Sequence, residues 1–231
     1  MAAAKKEKEE KLKKEEERLK KLAEEPTSKY NYKRPVKKTN SSLQSLALKQ
    51  KQEKEKKGGV EKEKEKKERR EKGIVLNAED LESLSVELKS IDVKKCEDYQ
   101  NEVLDLSRFA ELEELTIGDG CFNYVSKVSV VGLKKLKSVA IGAKSFQNES
   151  NDSELVVSDC PELVSLSVGN ESFKGFKEMK LSEVKALKTI TIGDECLKDC
   201  DLVLKDLKNV ESVVIGVNSF EKSRHSVVES E

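Results

Sequence analysis

The chain of 231 residues has no tryptophan, a single histidine and three prolines, and aromatic residues make up only 4% of it. With 39% charged residues and so few large rings, the composition argues against a single compact globule. His225 is the only histidine, and the five cysteines include no Cys-x-x-Cys pair. We therefore expect no zinc or other metal site.

Long apolar runs are missing as well. No window approaches the roughly 18 to 20 apolar residues that a membrane-spanning helix needs. The N-terminal stretch MAAAKKEKEEKLKK lacks the hydrophobic core of a secretory signal. We expect no membrane association and a cytoplasmic location. In such a reducing compartment the cysteines are expected to be free and mostly buried thiols.

The net charge is zero, but the charge is divided unevenly along the chain. Residues 1–72 contain 26 basic and 15 acidic residues, which leaves 19 and 30 of the 45 of each kind for residues 73–231. The two parts therefore carry +11 and −11. This division separates a charged, net basic arm, residues 1–72, from an acidic remainder.

A glycine-containing motif recurs at a nearly constant period in the acidic remainder. The stretch TIGDGCF at 116–122 has four relatives, IGAKSF, VGNESF, IGDECL and IGVNSF. The apolar residues before their glycines are spaced 24, 27, 24 and 23 residues apart: Ile117, Ile141, Val168, Ile192 and Ile215. Five copies at this period predict a repeat structure in which each copy forms one coil.

Each copy contains two short apolar alternations that predict strands. The first copy has Leu104 and Leu106, then apolar residues at three-residue steps, then Leu115 and Ile117 before Gly118. The glycine predicts a turn that needs positive φ. A large apolar residue follows each glycine at a fixed offset and predicts an internal stack: Phe122, Phe146, Phe173, Leu197 and Phe220. The residue before it is always cysteine or serine, which predicts a small buried position.

These residues resemble a known repeat family. LVVSDCPELVSL at 155–166 is similar to the LxLxxCxxLxxL core of leucine-rich repeats, with cysteine where asparagine often stands, and the IGxxSF segments resemble the BspA-like variety. The resemblance covers about residues 104–220. It implies a β-rich, right-handed leucine-rich-repeat solenoid of about five coils, with the array at 104–231. Residues 73–103 are expected to form an irregular opening coil that caps it, with apolar positions Val75, Ala78, Leu81, Leu84 and Val86.

The arm is organised differently. Residues 2–25 are strong helix formers with many Glu and Lys pairs, but their only large apolar residues are Leu12, Leu19 and Leu22. This is less than a stable coiled coil needs, so we expect a monomer. A structural subunit that oligomerises through this helix is the alternative.

The segment of residues 26–52 contains seven basic residues and no acidic one. Its candidate polyanion-binding residues combine cations with aromatic rings: Tyr30, Tyr32, Lys33, Arg34, Lys37 and Lys38. Such a segment suits RNA, the ribosome or an acidic protein surface. The same KRPVKK stretch also fits a nuclear import signal, and a solvated linker without a ligand is a third interpretation.

Three other candidate sites are weaker. The GDGC stretch lacks the Lys and Ser/Thr pair and the following helix that a phosphate loop requires. Cys121 lies among acidic residues and has no histidine nearby to lower its pKa. Cys196 and Cys200 are two thiols without further metal ligands. We therefore expect no enzyme, no cofactor and no catalytic residue.

A row of small residues stands between the paired apolar positions of the second strand in each copy: Thr116, Ala140, Ser167, Thr191 and Val214. If the apolar neighbours face inward, this row faces outward. Repeat solenoids commonly bind protein partners through such extended faces. The sequence therefore predicts a non-catalytic protein-interaction module, with β propensity alone as the other explanation of the row.

Overall fold

The structure, a computed structural model, describes residues 61–229. These residues form a parallel β-solenoid of about six turns, in which the chain alternates between two sheets. From residue 103 to residue 229 it contains strands and turns and no helix. The predicted solenoid is thereby confirmed, whereas its assignment to the leucine-rich repeats stays a prediction.

Sheet A contains seven of the strands. In spatial order they are β1 (Ile74–Val75), β2 (Ser90–Val93), β4 (Glu114–Ile117), β6 (Ser138–Ile141), β8 (Ser165–Val168), β10 (Thr189–Ile192) and β12 (Ser212–Ile215). Sheet B contains the other six, β3 (Val103–Asp105), β5 (Lys127–Val131), β7 (Glu154–Ser158), β9 (Glu178–Ser182), β11 (Asp201–Lys205) and β13 (Ser226–Glu229). Neighbouring strands in both sheets are parallel.

Two helices lie at the N-terminal end of the described region. Residues 61–71 form α1, and Ala78–Glu82 form α2, whose first turn is capped by the Asn77 side chain accepting from the Asp80 amide. Asp80 is fully buried, and its Oδ1 accepts a hydrogen bond from Arg70 Nε at 3.1 Å. The Arg70–Asp80 pair thus fastens α1 to the opening coil.

The core is a column of side chains between the two sheets. Inward residues such as Leu115, Val139 and Leu166 occupy the same register position on successive strands and are at most 2% exposed. The predicted internal stack is confirmed for Phe122, Phe146, Phe173 and Leu197, which are also buried, whereas its fifth member, Phe220, is only partly buried. Each coil therefore buries the inward apolar side chains of the coil before it.

The small position before the stack forms a polar ladder within this core. Ser145 Oγ donates to the Gly118 carbonyl at 2.9 Å and accepts from the Cys121 amide at 3.2 Å. Ser172 repeats both bonds one coil further on, to the Gly142 carbonyl and from the Ser145 amide. The residue at this position thus joins successive turns, which explains why serine or cysteine recurs there.

The prediction that the strand-ending glycines need positive φ is wrong. Positive φ falls instead two residues later, on Gly120 and Lys144, and four residues later, on the stacked Phe122 and Phe146. The strand-ending glycine is needed for space, because a Cβ on Gly169 would lie 2.6 Å from the Ala143 nitrogen of the neighbouring coil.

The opening coil also differs in part from its expected pattern. Val75, Leu81 and Leu84 are buried as expected, but Val86 is 50% exposed. Its place in sheet A is taken by β2, in which Ile91 and Val93 align with Leu115 and Ile117. The Ile-x-Val pair lies 24 residues before Leu115-x-Ile117, so the repeat begins one strand earlier than the sequence analysis predicts.

Candidate functional site: the outer face of sheet A

The outer face of sheet A presents two rows of side chains that follow the solenoid axis. One row contains the predicted outward residues Thr116, Ala140, Ser167, Thr191 and Val214, which are paired strand by strand in the same register. All of them are exposed or half-buried, so their outward orientation is confirmed. The second row, two residues earlier on each strand, is Glu114, Ser138, Ser165, Thr189 and Ser212.

The sequence-based prediction does not include the second row. Period-two alternation nevertheless places the residue before each apolar pair on the same outer face as the residue between the pair. Ser165 and Thr189 therefore share the surface of Ser167 and Thr191. Together the rows give two outward side chains per strand, with strands about 4.8 Å apart.

From β6 to β12 this face carries no charged side chain in its two rows, although 39% of the chain is charged. The charges lie at its border, in the column just before the strands. There Glu113 pairs with Lys89 at 3.2 Å and with Lys137 at 2.6 Å, and Lys188 pairs with Glu211 at 3.0 Å. The result is a flat, uncharged strip beside a line of ion pairs, which we call the sheet A strip.

The outer face of sheet B has the opposite character. Lys180 pairs with Glu178 at 2.9 Å and with Glu154 at 3.5 Å, and Lys205 pairs with Glu229 at 3.0 Å. Such mutually neutralised charges are typical of a solvated surface and contribute little to stability. The contrast with sheet B makes the sheet A strip the more distinctive of the two faces.

Burial makes the five thiols poor nucleophiles. All five cysteines are free and buried. Burial raises the pKa of Cys96 and of Cys200 to about 12, and it also raises the pKa of Cys121. A reactive thiol needs the opposite shift, because only the thiolate attacks. This environment agrees with a packing role for Cys121.

The turn around Gly120 also lacks the context of a phosphate loop. The chain runs from β4 through this turn into β5, another strand, and not into a helix whose N-terminus could bind an anion. Asp119 has a structural partner, since its Oδ1 accepts from the Ala143 amide at 2.7 Å. The GDGC stretch therefore serves as one corner of the solenoid.

Within residues 61–229 there is no group of three or more His, Cys, Asp and Glu side chains arranged to hold a metal. In the same region no helix combines the length and the apolar character needed to cross a membrane. The candidate residues of the arm, Tyr30, Tyr32, Lys33, Arg34, Lys37 and Lys38, lie outside the described residues, as does the helix expected at 2–25.

Comparison of the chain with protein-family models, with curated proteins and with solved structures finds no match.

Proposed function

We propose that the chain is a non-catalytic interaction module whose sheet A strip binds a protein partner. The observation that carries this proposal is the uncharged double row from β6 to β12. The centres of protein interfaces are depleted of charged residues, because burying an unpaired charge is costly. Small side chains such as Ser167 and Ala140 also lose little conformational entropy when a partner covers them.

The solenoid holds these residues in a fixed geometry. Each strand of the strip is hydrogen-bonded on both sides except β12, and the inward residues beneath it, such as Leu166 and Ile190, are buried. A partner therefore meets a preorganised surface, which lowers the entropic cost of binding. The partner chemistry that fits is a flat, largely uncharged protein surface with hydrogen-bonding groups for the Ser and Thr hydroxyls.

We further propose that the basic segment 26–52 contacts a polyanion or an acidic surface such as the ribosome, RNA or a filament. Seven basic residues without an acidic one support this, since Lys and Arg that neutralise phosphates release counterions. In this arrangement the strip selects a protein and the arm adds a contact that weakens as salt increases. The two contacts are separable by substitution.

The test is quantitative affinity purification of the full chain from cells, with variants of each surface. Ser167→Lys together with Thr191→Lys places two charges in the strip without touching the core, and Ser129→Lys together with Ser182→Lys is the matched control on sheet B. Proteins bound through the strip should be lost from the first variant and retained by the control. Equal retention by both variants would overturn the proposed surface.

The arm is tested on its own. Changing Lys33, Arg34, Lys37 and Lys38 to Ala should abolish RNA or ribosome binding and flatten its salt dependence, while proteins bound through the strip remain. Unchanged binding of RNA and ribosomes would refute the role of the arm and leave the strip unaffected.

A further inference from the structure

A column of residues borders the sheet A strip at the corner where the chain enters each strand. The backbone amide of each member donates to the carbonyl of the member one turn earlier, at 2.7 to 2.9 Å. The members, in order, are Lys89, Glu113, Lys137, Val164, Lys188 and Glu211. We call this column the border ladder. Its members are about 4.8 Å apart along the solenoid, like the strands that follow them.

The border ladder begins with alternating charges. Glu113 pairs with the lysines of both neighbouring turns, with Lys89 at 3.2 Å and with Lys137 at 2.6 Å. One carboxylate in this column can therefore bind the ammonium groups of the turn before it and of the turn after it.

One position of the border ladder breaks the alternation. The residue after Lys137 should be acidic, but it is Val164, and Lys188 follows. Lys137 pairs with Glu113, and Lys188 pairs with Glu211 at 3.0 Å, so both lysines have their partners on the sides away from Val164. The ladder thus has a gap, in which one carboxylate is missing between two lysines.

The gap lies inside the described array, because turns with their own members of the ladder flank it on both sides. Val164 is 39% exposed, whereas Leu163 and Leu166 beside it are at most 1% exposed. Val164 also lines a shallow depression together with Ala186 of the next turn. The gap therefore has room for a side chain from another molecule.

The corner around Val164 is basic, although the solenoid is acidic. It is formed by three turns, residues 132–137, 159–164 and 183–188. These turns contain five lysines and three acidic residues, which gives a charge of +2, whereas residues 73–231 as a whole carry −11. Charged groups in protein interfaces are arranged to complement each other, so a partner at this corner should present a negative charge.

Glu162 is the acidic residue of this corner nearest to the gap in the sequence. Glu113 raises the pKa of Lys137, and Glu162 and Glu114 add to this more weakly. The ion pairs of Lys137 and Lys188 within the described residues are made with Glu113 and Glu211, and not with Glu162. Glu162 therefore reduces the positive charge beside the gap but does not complete the ladder.

We infer that the partner of the sheet A strip presents an aspartate or glutamate that lies over Val164, between the ammonium groups of Lys137 and Lys188. This inference rests on the proposed function and adds the chemistry of the partner at one border of the strip. From Lys89 to Glu211 the ladder has this gap in one turn only. The acidic contact therefore fixes the position of the partner along a strip whose turns are otherwise similar.

Two substitutions of opposite charge and similar length test the inference. The probe is the set of proteins that the full chain captures from cells and that Ser167→Lys with Thr191→Lys loses. Val164→Glu supplies the missing carboxylate from within the chain and repels that of the partner, so it should reduce capture of this set about tenfold. Val164→Lys keeps the corner basic and should stay within about threefold of the parent chain. Val103→Glu, at a valine of sheet B that is 48% exposed, is the matched control and should change nothing.

The outcomes separate this inference from the proposed function. If no protein is lost from the double lysine variant, the proposed function fails and the inference fails with it. If such proteins exist but Val164→Glu retains them, or Val164→Lys loses them equally, the strip keeps its role and the acidic contact is wrong.

Zero-length cross-linking tests the contact directly, because a carbodiimide joins a lysine amine to a carboxylate that touches it. With the captured proteins bound, mass spectrometry should find Lys137 or Lys188 linked to an aspartate or glutamate of the partner. In Val164→Glu these links should be replaced by links within the chain to position 164. The link between Lys137 and Glu113 within the chain is the internal control. Partner links confined to other lysines would overturn the inference.

Discussion

The rings of Phe146 and Phe173 stack with their centroids 4.5 Å apart and their planes 4° from parallel. Phe122 extends the stack on one side at 5.5 Å from Phe146, and Phe176 packs edge-on against Phe173 at 4.8 Å. Successive turns thus meet through the same side chain, although each of these phenylalanines except Phe176 adopts positive φ. The stack is an apolar contact between turns at the corner that follows sheet A.

Removing a ring from the middle of this stack should destabilise the solenoid. Phe146 is fully buried, so Phe146→Ala loses the transfer free energy of the ring and leaves a cavity, at a cost of about 3–5 kcal/mol. Lys144→Ala is the control, because Lys144 is exposed and alanine keeps the strain of its positive φ. Chemical denaturation measures both. Equal midpoints for the two variants would show that the ring does not join the turns.

Two glycines of the repeat should respond differently to alanine. A Cβ on Gly169 would lie 2.6 Å from the carbonyl carbon of Gly142, so Gly169→Ala must push two turns apart. A Cβ on Gly120 would meet nothing within 4 Å, but its φ of +67° disfavours other residues. We expect Gly120→Ala to cost about 1 kcal/mol, as at other left-handed positions, and Gly169→Ala to cost several times more. Thermal melting of both variants compares them, and a larger loss for Gly120→Ala would contradict this assignment.

These glycines also show which features of the fold can be predicted from the sequence alone. The period and the alternation predict the solenoid, because each strand repeats the same inward pair, as in Leu115 and Ile117. They do not predict the role of Gly169, since a close approach between turns depends on the neighbouring coil and leaves no local signal. The first strand of the repeat, β2, cannot be recognised from the glycine motif, because Lys94 stands where later copies have glycine.

The outward row could be predicted for the same reason that the core could. Thr116 and Thr191 alternate with buried residues, and alternation fixes their side of the sheet. The contrast between the uncharged sheet A strip and the ion-paired sheet B could not be predicted from one copy. It depends on which residues meet across neighbouring turns, such as Glu154 and Lys180, whose charged groups lie 3.5 Å apart.

The thiols should report unfolding through their reaction with an alkylating reagent. The pKa of Cys96 and of Cys200 is raised by burial from an ordinary value of 9.0 to about 12. At pH 8 both should therefore stay unmodified until the chain unfolds, and labelling followed by mass spectrometry should track the denaturation curve. Rapid labelling of either thiol in the native protein would contradict their burial.

The same shift gives a pH dependence of stability. Because the folded-state pKa is the higher one, the stabilisation from keeping these thiols neutral is complete below pH 9 and decreases as the pH rises from 9 towards 12. Cys200→Ser has its own packing cost, so the unfolding free energy of each protein is compared with its own value at pH 7. On that scale the variant should lose less stability at high pH. If the unfolding free energy of the variant falls with pH as steeply as that of the parent protein between pH 9 and pH 11, the loss belongs to other groups.

The Arg70–Asp80 pair should determine whether α1 stays attached to the opening coil. Arg70→Ala leaves the fully buried carboxylate of Asp80 with two partners among residues 61–229, the Leu76 amide at 3.2 Å and Arg69 at 3.9 Å. Breaking such a buried pair typically costs about 3–5 kcal/mol, and Arg69 offsets part of this. Lys72→Ala is the matched control on the same helix, because its pair with Glu68 is exposed on both sides. Hydrogen exchange of the amides of residues 74–84 should accelerate in Arg70→Ala and stay unchanged in Lys72→Ala, whereas equal exchange in the two variants would mean that α1 is held by other contacts.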